Sequence, residues 1–412
     1  MLKVGRSAAA DAPCAFPRHN GQVNRETFER LLTAEGQHLL AEVHDRAGVE
    51  SELALGTRLR ERHAPALVAA AVTQCHLRGR AIVKFGPDAA ALYFTHDALE
   101  QSTRGAVARH RAARLAASGA GAVIDLGCGI GGDLIACAQA GLRVRGVELD
   151  PVRAAIARAN LAALGLPGDV VEADALTVAP RSDEVVFVDP ARRDGRGRVT
   201  TLDGLVPPWD WVASLLDGPA VAKLMPGIAH SAIPAGVEAE WVSDGGSLVE
   251  ASLWGAPFAR TSRRATVLPS GDSLTARDTP AVIGDPRRYL VEPDDAVIRA
   301  GLVAELAEDL DGALLDPHIA YVTTDAEPQG SLGRWFEIIE ELPFREKALR
   351  AALRERDLGT LTVKKRGVDI VPEHLIARLK ARGSTPATLV LTRVDGAGRV
   401  FWVRSSESNP SS

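Results

Sequence analysis

Nine consecutive residues of this 412-residue chain concentrate glycine and acid: Asp125-Leu126-Gly127-Cys128-Gly129-Ile130-Gly131-Gly132-Asp133. They follow a short apolar run and open a helical one. Glycines at such a junction let the backbone turn tightly and let a ligand approach it closely. Further acids recur at the ends of the next apolar runs. Glu148 stands 17 residues beyond Gly131, Asp174 follows in Glu172-Ala173-Asp174-Ala175, and Asp189 leads Asp189-Pro190-Ala191-Arg192.

Gly127, Gly129 and Gly132 satisfy GxGxxG, a spacing that alone does not separate a dinucleotide from S-adenosylmethionine. Asp125 does separate them. A dinucleotide needs the helix start clear for its pyrophosphate. S-adenosylmethionine has no phosphate, and its cationic amine and sulfonium favour carboxylates nearby. Glu148 is placed to accept both ribose hydroxyls, a feature common to both ligands. Asp133 is explained equally by helix capping and by cofactor binding.

The elements that must position these residues follow from the pattern. Residues 122–126, 143–148, 169–172 and 184–189 read as buried strands, with helices over 132–140 and 152–164. That alternation predicts an α/β fold with a parallel sheet. A helix over 209–216, a fifth strand over 220–224 and a hairpin of 237–242 with 248–254 complete seven strands. Upstream, residues 1–24 read as a loose arm and 25–98 as a helical region ending in a hairpin of 81–85 with 91–95. Residues 99–118 read as one helix that opens the sheet domain, 99–265. Residues 266–286 are rich in Ser, Thr, Asp, Gly and Pro and read as a linker. They begin a 266–329 segment whose remainder is a small β-α-β element. Residues 330–404 form a last α/β domain, and 405–412 a frayed tail.

Residues 99–254 resemble the class I S-adenosylmethionine-dependent methyltransferases. The resemblance implies a seven-stranded Rossmann-like sheet with a reversed last strand. It also implies that Asp125, Gly127, Cys128, Gly129 and Gly131 hold the cofactor, with Cys128 facing it, that Glu148 binds ribose and that Asp174 and Ala175 meet adenine. The run Asp125–Asp133, then Val188-Asp189-Pro190-Ala191-Arg192-Arg193, then a basic C-terminal domain with Lys364-Lys365-Arg366 is similar to the bacterial THUMP-like-domain methyltransferases. That resemblance implies an RNA substrate, tRNA or rRNA alike, and a THUMP-like module over 330–404.

Amino-group methyltransferases carry [DNS]-P-P-[FYW] after the fourth strand. This chain keeps Asp189 and Pro190 but has Ala191 and Arg192 instead of proline and an aromatic. Asp189 is suited to orient or deprotonate a nucleophilic nitrogen, and an arginine plane also stacks on a base. The change speaks against adenine N6 chemistry and leaves ring-nitrogen and guanine amino chemistry open. Pyrimidine C5 methylation needs a cysteine nucleophile. Cys14, Cys75, Cys128 and Cys137 all precede the fourth strand, which disfavours it.

Arg192, Arg193, Arg196 and Arg198 form an arginine-rich loop suited to phosphate. Lys223 faces the same sheet edge, and Lys364, Lys365 and Arg366 are candidate RNA-backbone contacts. Residues 334–404 hold 15 Lys and Arg against 9 Asp and Glu, a surplus of +6 on a chain of net charge −5. A basic module on an acidic chain suits a nucleic-acid partner. Other single arginines read as solvated surface. With 46% hydrophobic and 25% charged residues, disorder and fibrous structure are excluded. No histidine spacing fits a metal site, and no run reaches the ~18 apolar residues of a membrane helix. The cytoplasm is the expected location, and nothing sets an oligomeric state. Two other readings stay open: a methyltransferase acting on a protein or small molecule, and a non-catalytic RNA-binding protein that retains S-adenosylmethionine.

Overall fold

The computed structural model describes residues 24–192, 202 and 204–406. The chain enters through helices α1 (Arg25–Leu31), α2 (Ala34–Arg46), α3 (Glu52–Arg60) and α4 (Pro65–Phe85). Asn24, Thr33 and Ser51 cap the first three, each accepting from a backbone N–H of the first turn, and Pro65 opens the fourth at the position where its missing N–H costs nothing. Phe28, Leu31, Leu39, Leu40, Val43, Leu55 and Leu59 are buried as their spacing predicts, whereas Leu32 and Leu53 stay exposed.

The expected hairpin of 81–85 with 91–95 is not formed. Leu77, Ala81 and Phe85 recur every four residues and are buried, while Ile82 and Val83 face out, so helical periodicity carries α4 to Phe85. Residues 92–94 pair with no strand among the described residues. Two buried amides stand in for one. Gln74 of α4 bonds both backbone groups of Phe94, at 2.6 and 2.9 Å. Asn160 does the same for Tyr93, at 2.7 and 3.1 Å. The helix expected over 99–118 is broken into α5 (His96–Gln101) and α6 (Gly105–Ala117), which frees Thr103 and Arg104 at the joint.

The central sheet contains β1 (Ala122–Leu126), β2 (Arg143–Glu148), β3 (Asp169–Glu172), β4 (Glu184–Val188), β7 (Ala220–Leu224), β8 (Glu238–Asp244), β9 (Ser247–Trp254), β10 (Arg263–Leu268) and β11 (Asp272–Thr275). The short pair β5 (Ala191–Arg192) and β6 (Leu205–Val206) stands apart. Helices α7 (Gly132–Gln139), α8 (Pro151–Ala163) and α9 (Trp209–Leu215) connect the parallel strands. The order is β11-β10-β8-β9-β7-β4-β1-β2-β3, parallel from β3 to β7 with β9 reversed.

The sheet therefore has nine strands rather than the expected seven, because β10 and β11 occupy the start of the expected linker. Composition misled there because a polar residue is internal. Thr266 is buried with its hydroxyl donating to Glu240 at 2.7 Å, and a buried hydroxyl so partnered carries little penalty.

The small element and the last domain share a second sheet, β13-β14-β12-β15-β18-β17-β16. Its strands are β12 (Tyr289–Pro293), β13 (Ala313–Asp316), β14 (Ile319–Thr324), β15 (Gly333–Leu342), β16 (Leu358–Lys365), β17 (Thr385–Val394) and β18 (Ala397–Ser406). Helices α10 (Asp295–Ala300) and α11 (Val303–Asp309) lie between the two sheets. Ala296, Val297 and Leu306 share one apolar core with Trp241 and Leu253 of the first sheet and Tyr289 and Trp335 of the second. Helices α12 (Glu346–Glu355) and α13 (Pro372–Leu379) pack farther along the same face of the second sheet, against Leu342, Leu389, Leu391 and Val400. Among the described residues no helix is long and apolar enough to cross a membrane.

One polar cluster fastens α6 to the sheet. Arg114 meets Glu238 at 2.6 Å and Glu240 at 2.7 Å, and both carboxylates are 0% exposed. His110 and the Trp254 indole also bond Glu240, at 2.8 and 2.9 Å. Burial works against the Glu240 charge. The His110 bond, the charges of His110 and Arg114 and the Thr266 hydroxyl outweigh it and hold the carboxyl down at about 2. A depressed carboxyl stabilises fully above its unfolded value, near 4.5, and loses that contribution as the pH falls toward 2. Glu240→Gln is expected to destabilise the fold at pH 7 by about 3–5 kcal/mol, the usual cost of breaking a buried pair. The loss narrows at pH 3, as urea denaturation at both pH values will read out.

Candidate cofactor and acceptor site

The glycine loop leaves β1 in conformations that L side chains avoid. Gly127, Gly129 and Gly131 have φ of +97°, +58° and +87°. Gly127 and Cys128 donate backbone N–H groups to Val147 O at 2.8 and 3.0 Å, which ties the loop to the end of β2. Glu148 completes the clasp by accepting from Gly129 N at 2.8 Å and Asp150 N at 2.9 Å. A Cβ built on Gly127 or Gly129 would meet nothing within 4 Å, so the outer face of the loop is open. Cys128 does not face that opening as expected. Its Sγ lies 2.8 Å from where a Gly146 Cβ would stand, beneath the loop in the apolar core. Burial, with the charges of Asp125 and Glu148, pushes its thiol far up.

A chain of polar side chains crosses the carboxyl edge of the sheet. Asp189, just past β4, meets Lys223 of β7 at 2.5 Å. Lys223 also donates to the Thr103 hydroxyl at 3.1 Å, and Thr103 donates to Asp133 of α7 at 3.0 Å. Arg111 of α6 then joins Asp133 to Glu250 of β9, and Ser252 donates to Glu250 at 2.9 Å. Arg111 is itself buried, its guanidinium 4.6 Å from the Phe187 ring.

Burial opposes the Lys223 charge, but Asp189, Glu250 and Asp133 raise its affinity for the proton, so the ammonium stays charged. Burial raises the Asp189 carboxyl, with Lys223 working against it. Beside the pair lies a cavity of about 260 Å³ lined by Asp189, Pro190, Leu205, Lys223, Met225 and Val249. Asp125 closes the cluster from below. It is 2% exposed, and its Oδ1 has no hydrogen-bond partner among the described residues.

The structure thus gathers Asp125, the glycines, Glu148, Asp189, Pro190 and Lys223 at one edge. Asp174 stands nearby and caps the short turn Ala175–Thr177 through Leu176 N at 2.9 Å. Of Arg192 the backbone pairs with Leu205; Arg193, Arg196 and Arg198 lie outside the described residues. The cations proposed for RNA sit on the second sheet. Glu292 engages Lys364 at 2.8 Å and Arg366 at 3.7 Å, leaving Lys365 the exposed one of the three.

Sequence reasoning missed Thr103, Glu250 and the buried role of Arg111, because each is polar and distant in the chain from its partners. It also passed over Leu149 and Leu176, exposed apolar side chains beside Glu148 and Asp174. A lone exposed leucine carries no signal; two flanking acids at strand ends do.

The arrangement offers a turn for close backbone approach, two acids at the ends of β2 and β3, and four carboxyls against two cations, one of them buried. Such a cleft suits a nucleoside bearing positive charge. Residues 123–189 match a methyltransferase domain, residues 333–405 a THUMP domain-like family and residues 24–81 a domain of unknown function. Two curated relatives are uncharacterized S-adenosylmethionine-dependent methyltransferases of Mycobacterium tuberculosis, from strains CDC 1551 / Oshkosh and ATCC 25618 / H37Rv. Each is 41% identical over 329 residues, covering 77% of this chain and 89% of the relative. A crystal structure from Porphyromonas gingivalis W83, which carries a provisional methyltransferase name, superposes with a TM-score of 0.69. It covers 90% of this chain and 99% of that chain at 22% identity, which establishes the shared fold.

Gly146 is where the loop and β2 pack most tightly, since a Cβ there would stand 2.7 Å from Leu134 Cδ1 and 2.8 Å from Cys128 Sγ. Gly146→Val is expected to destabilise by about 1–3 kcal/mol through overpacking. Adding Cys128→Ala recovers part of the loss, a non-additivity that thermal melts of the single and double variants will measure.

Proposed function

The chain belongs to the S-adenosylmethionine-dependent methyltransferases, and from that membership we propose that it methylates a nitrogen of an RNA base. The observation that carries the reading is the Asp189 carboxylate. Lys223 fixes one oxygen, while Oδ1 has no partner among the described residues and lies beside a mostly apolar slot.

The residues fit the cofactor on two counts: the open face above Gly127 and Gly129, and the orphaned, buried oxygen of Asp125. In this reading Gly127, Gly129 and Gly131 shape the cradle and Asp125 answers the cofactor's positive charge. Glu148 accepts the ribose hydroxyls with the lone pairs its backbone bonds leave over. Asp174 and Ala175 meet the adenine edge, between the apolar walls of Leu149 and Leu176. Cys128 contributes from beneath, by packing. Bound there, S-adenosylmethionine supplies an electrophilic methyl group.

The protein's own part is positioning. Asp189 Oδ1 accepts the N–H of the acceptor, aims its lone pair and takes the proton that leaves. Pro190 stiffens the slot and Lys223 keeps the carboxylate charged and oriented. Arg192, Arg193 and Arg196 are proposed on sequence grounds alone, as a stacking plane and phosphate contacts.

The THUMP-like module supports RNA as the acceptor through its charge. Arg345, Lys347, Arg354, Lys365, Lys380 and Arg382 are exposed and form no ion pair among the described residues. The shared core of α10 and α11 holds this surface in a set position relative to the catalytic sheet.

Mass spectrometry of nucleosides from total RNA tests the proposal in a deletion strain and its parent. One methylated nucleoside is expected to disappear and to return with the wild-type gene but not with Asp189→Ala. Unchanged nucleosides, with the protein expressed and binding S-adenosylmethionine, would move protein and small-molecule acceptors forward. Separately, the triple change Lys347→Gln, Lys365→Gln and Arg382→Gln is expected to flatten the dependence of log K for RNA on log salt by about 2. Cofactor affinity stays as it was.

A further inference from the structure

Asp125 is buried in an environment that does little to support its charge. Its Oδ1 meets no donor among the described residues, and an unpartnered carboxylate out of water is costly. The groups around it are mostly acidic. Asp133 faces it from α7, Asp189 from beyond β4 and Glu148 from the end of β2, with the Cys128 and Cys137 thiols beside them. Arg111 of α6 is the cation that acts on it, but its guanidinium already joins Asp133 to Glu250, and its Nε has no partner among the described residues. Lys223 is engaged by Asp189 and Thr103. Four carboxyls, Asp125, Asp133, Asp189 and Glu250, thus share two cations.

Three of those carboxyls have donors: Arg111 for Asp133 and Glu250, Lys223 for Asp189. Asp125 is left over. Burial first, then the charges of Asp133 and Asp189, push its carboxyl well above the aspartate range. The cheapest way to reduce the excess negative charge is therefore a proton on Asp125.

We propose that Asp125 carries a proton while the cofactor site is empty and releases it to solvent when S-adenosylmethionine binds, the cofactor's positive charge taking the proton's place. The inference rests on the cofactor assignment and adds a linkage to it. Only the O–H bond of Asp125 breaks, and the proton goes to buffer. The sign follows. Below the raised value of Asp125, binding must displace a proton, so cofactor affinity rises with pH, by up to about tenfold per unit. Above that value it levels off. Neutral Asn at this position has no proton to release.

Isothermal titration of the full chain with S-adenosylmethionine at pH 6.5 decides the matter, since the cofactor's own ammonium stays protonated there. Runs in phosphate and in imidazole, whose ionisation enthalpies differ, give the protons released per cofactor bound. Wild type is expected to release protons on binding, and Asp125→Asn close to none while still binding. Empty Asp125→Asn is expected to melt near the wild-type temperature, because one neutral group replaces another. Binding by the wild type without proton release, or equal release from Asp125→Asn, overturns the proposal. That result leaves the cofactor assignment standing. Absence of any binding overturns the assignment and the linkage together, so the two failures are told apart.

Discussion

A guanidinium buried beside the glycine loop has to be surrounded by carboxylates, and that requirement organises this molecule. Arg111 lies between Asp133 and Glu250, so one side chain of α6 joins the first turn of α7 to the reversed strand β9. Arg114, one turn later on the same face, joins α6 to Glu238 and Glu240 of β8. Together they lay α6 against the sheet along two contacts. Breaking either would strand buried charge, whereas the intact network is closer to neutral in its net worth. Its value here is placement. Thr103 and Arg104 precede α6 directly, and Thr103 reaches both Lys223 and Asp133.

The glycine loop and the acids at the strand ends were legible because their signals are local. Gly127, Gly129 and Gly131 occupy positive φ, where other residues are strained, so their types report the backbone directly. Asp125, Glu148 and Asp189 fall at strand ends that apolar runs mark out. The same reasoning misplaced residues 81–85, where Ile82 and Val83 suggested a strand although they point to solvent. It also read residues 266–286 as a linker, because nothing local shows that Thr266 has Glu240 for a partner. Arginine was the hardest residue to read. In a chain with 41 of them, as against seven lysines, abundance hid Arg111, which is buried.

The C-terminal region illustrates a different limit. Its strands and helices were readable one by one, yet the division at residue 330 does not appear in the sheet. Strand β15 pairs with β12 on one side and β18 on the other, so residues 289–324 and 333–406 form one structure. Strand pairing across distant segments leaves little trace in the segments themselves. The consequence is mechanical: the module that carries the basic surface grows out of the layer that packs on the first sheet.

Gln74 and Asn160, which complete the backbone bonding of Phe94 and Tyr93, also bear on how the chain is made. During synthesis the first helices emerge long before residue 160. Until α8 arrives, the Tyr93 backbone lacks the amide that bonds it, and the same amide's contact with Ile130 O in the glycine loop, at 2.9 Å, is missing too. The N-terminal helices and α7 and α8 share one apolar core. The N-terminal helices therefore complete their packing together with α7 and α8 and do not run ahead of them.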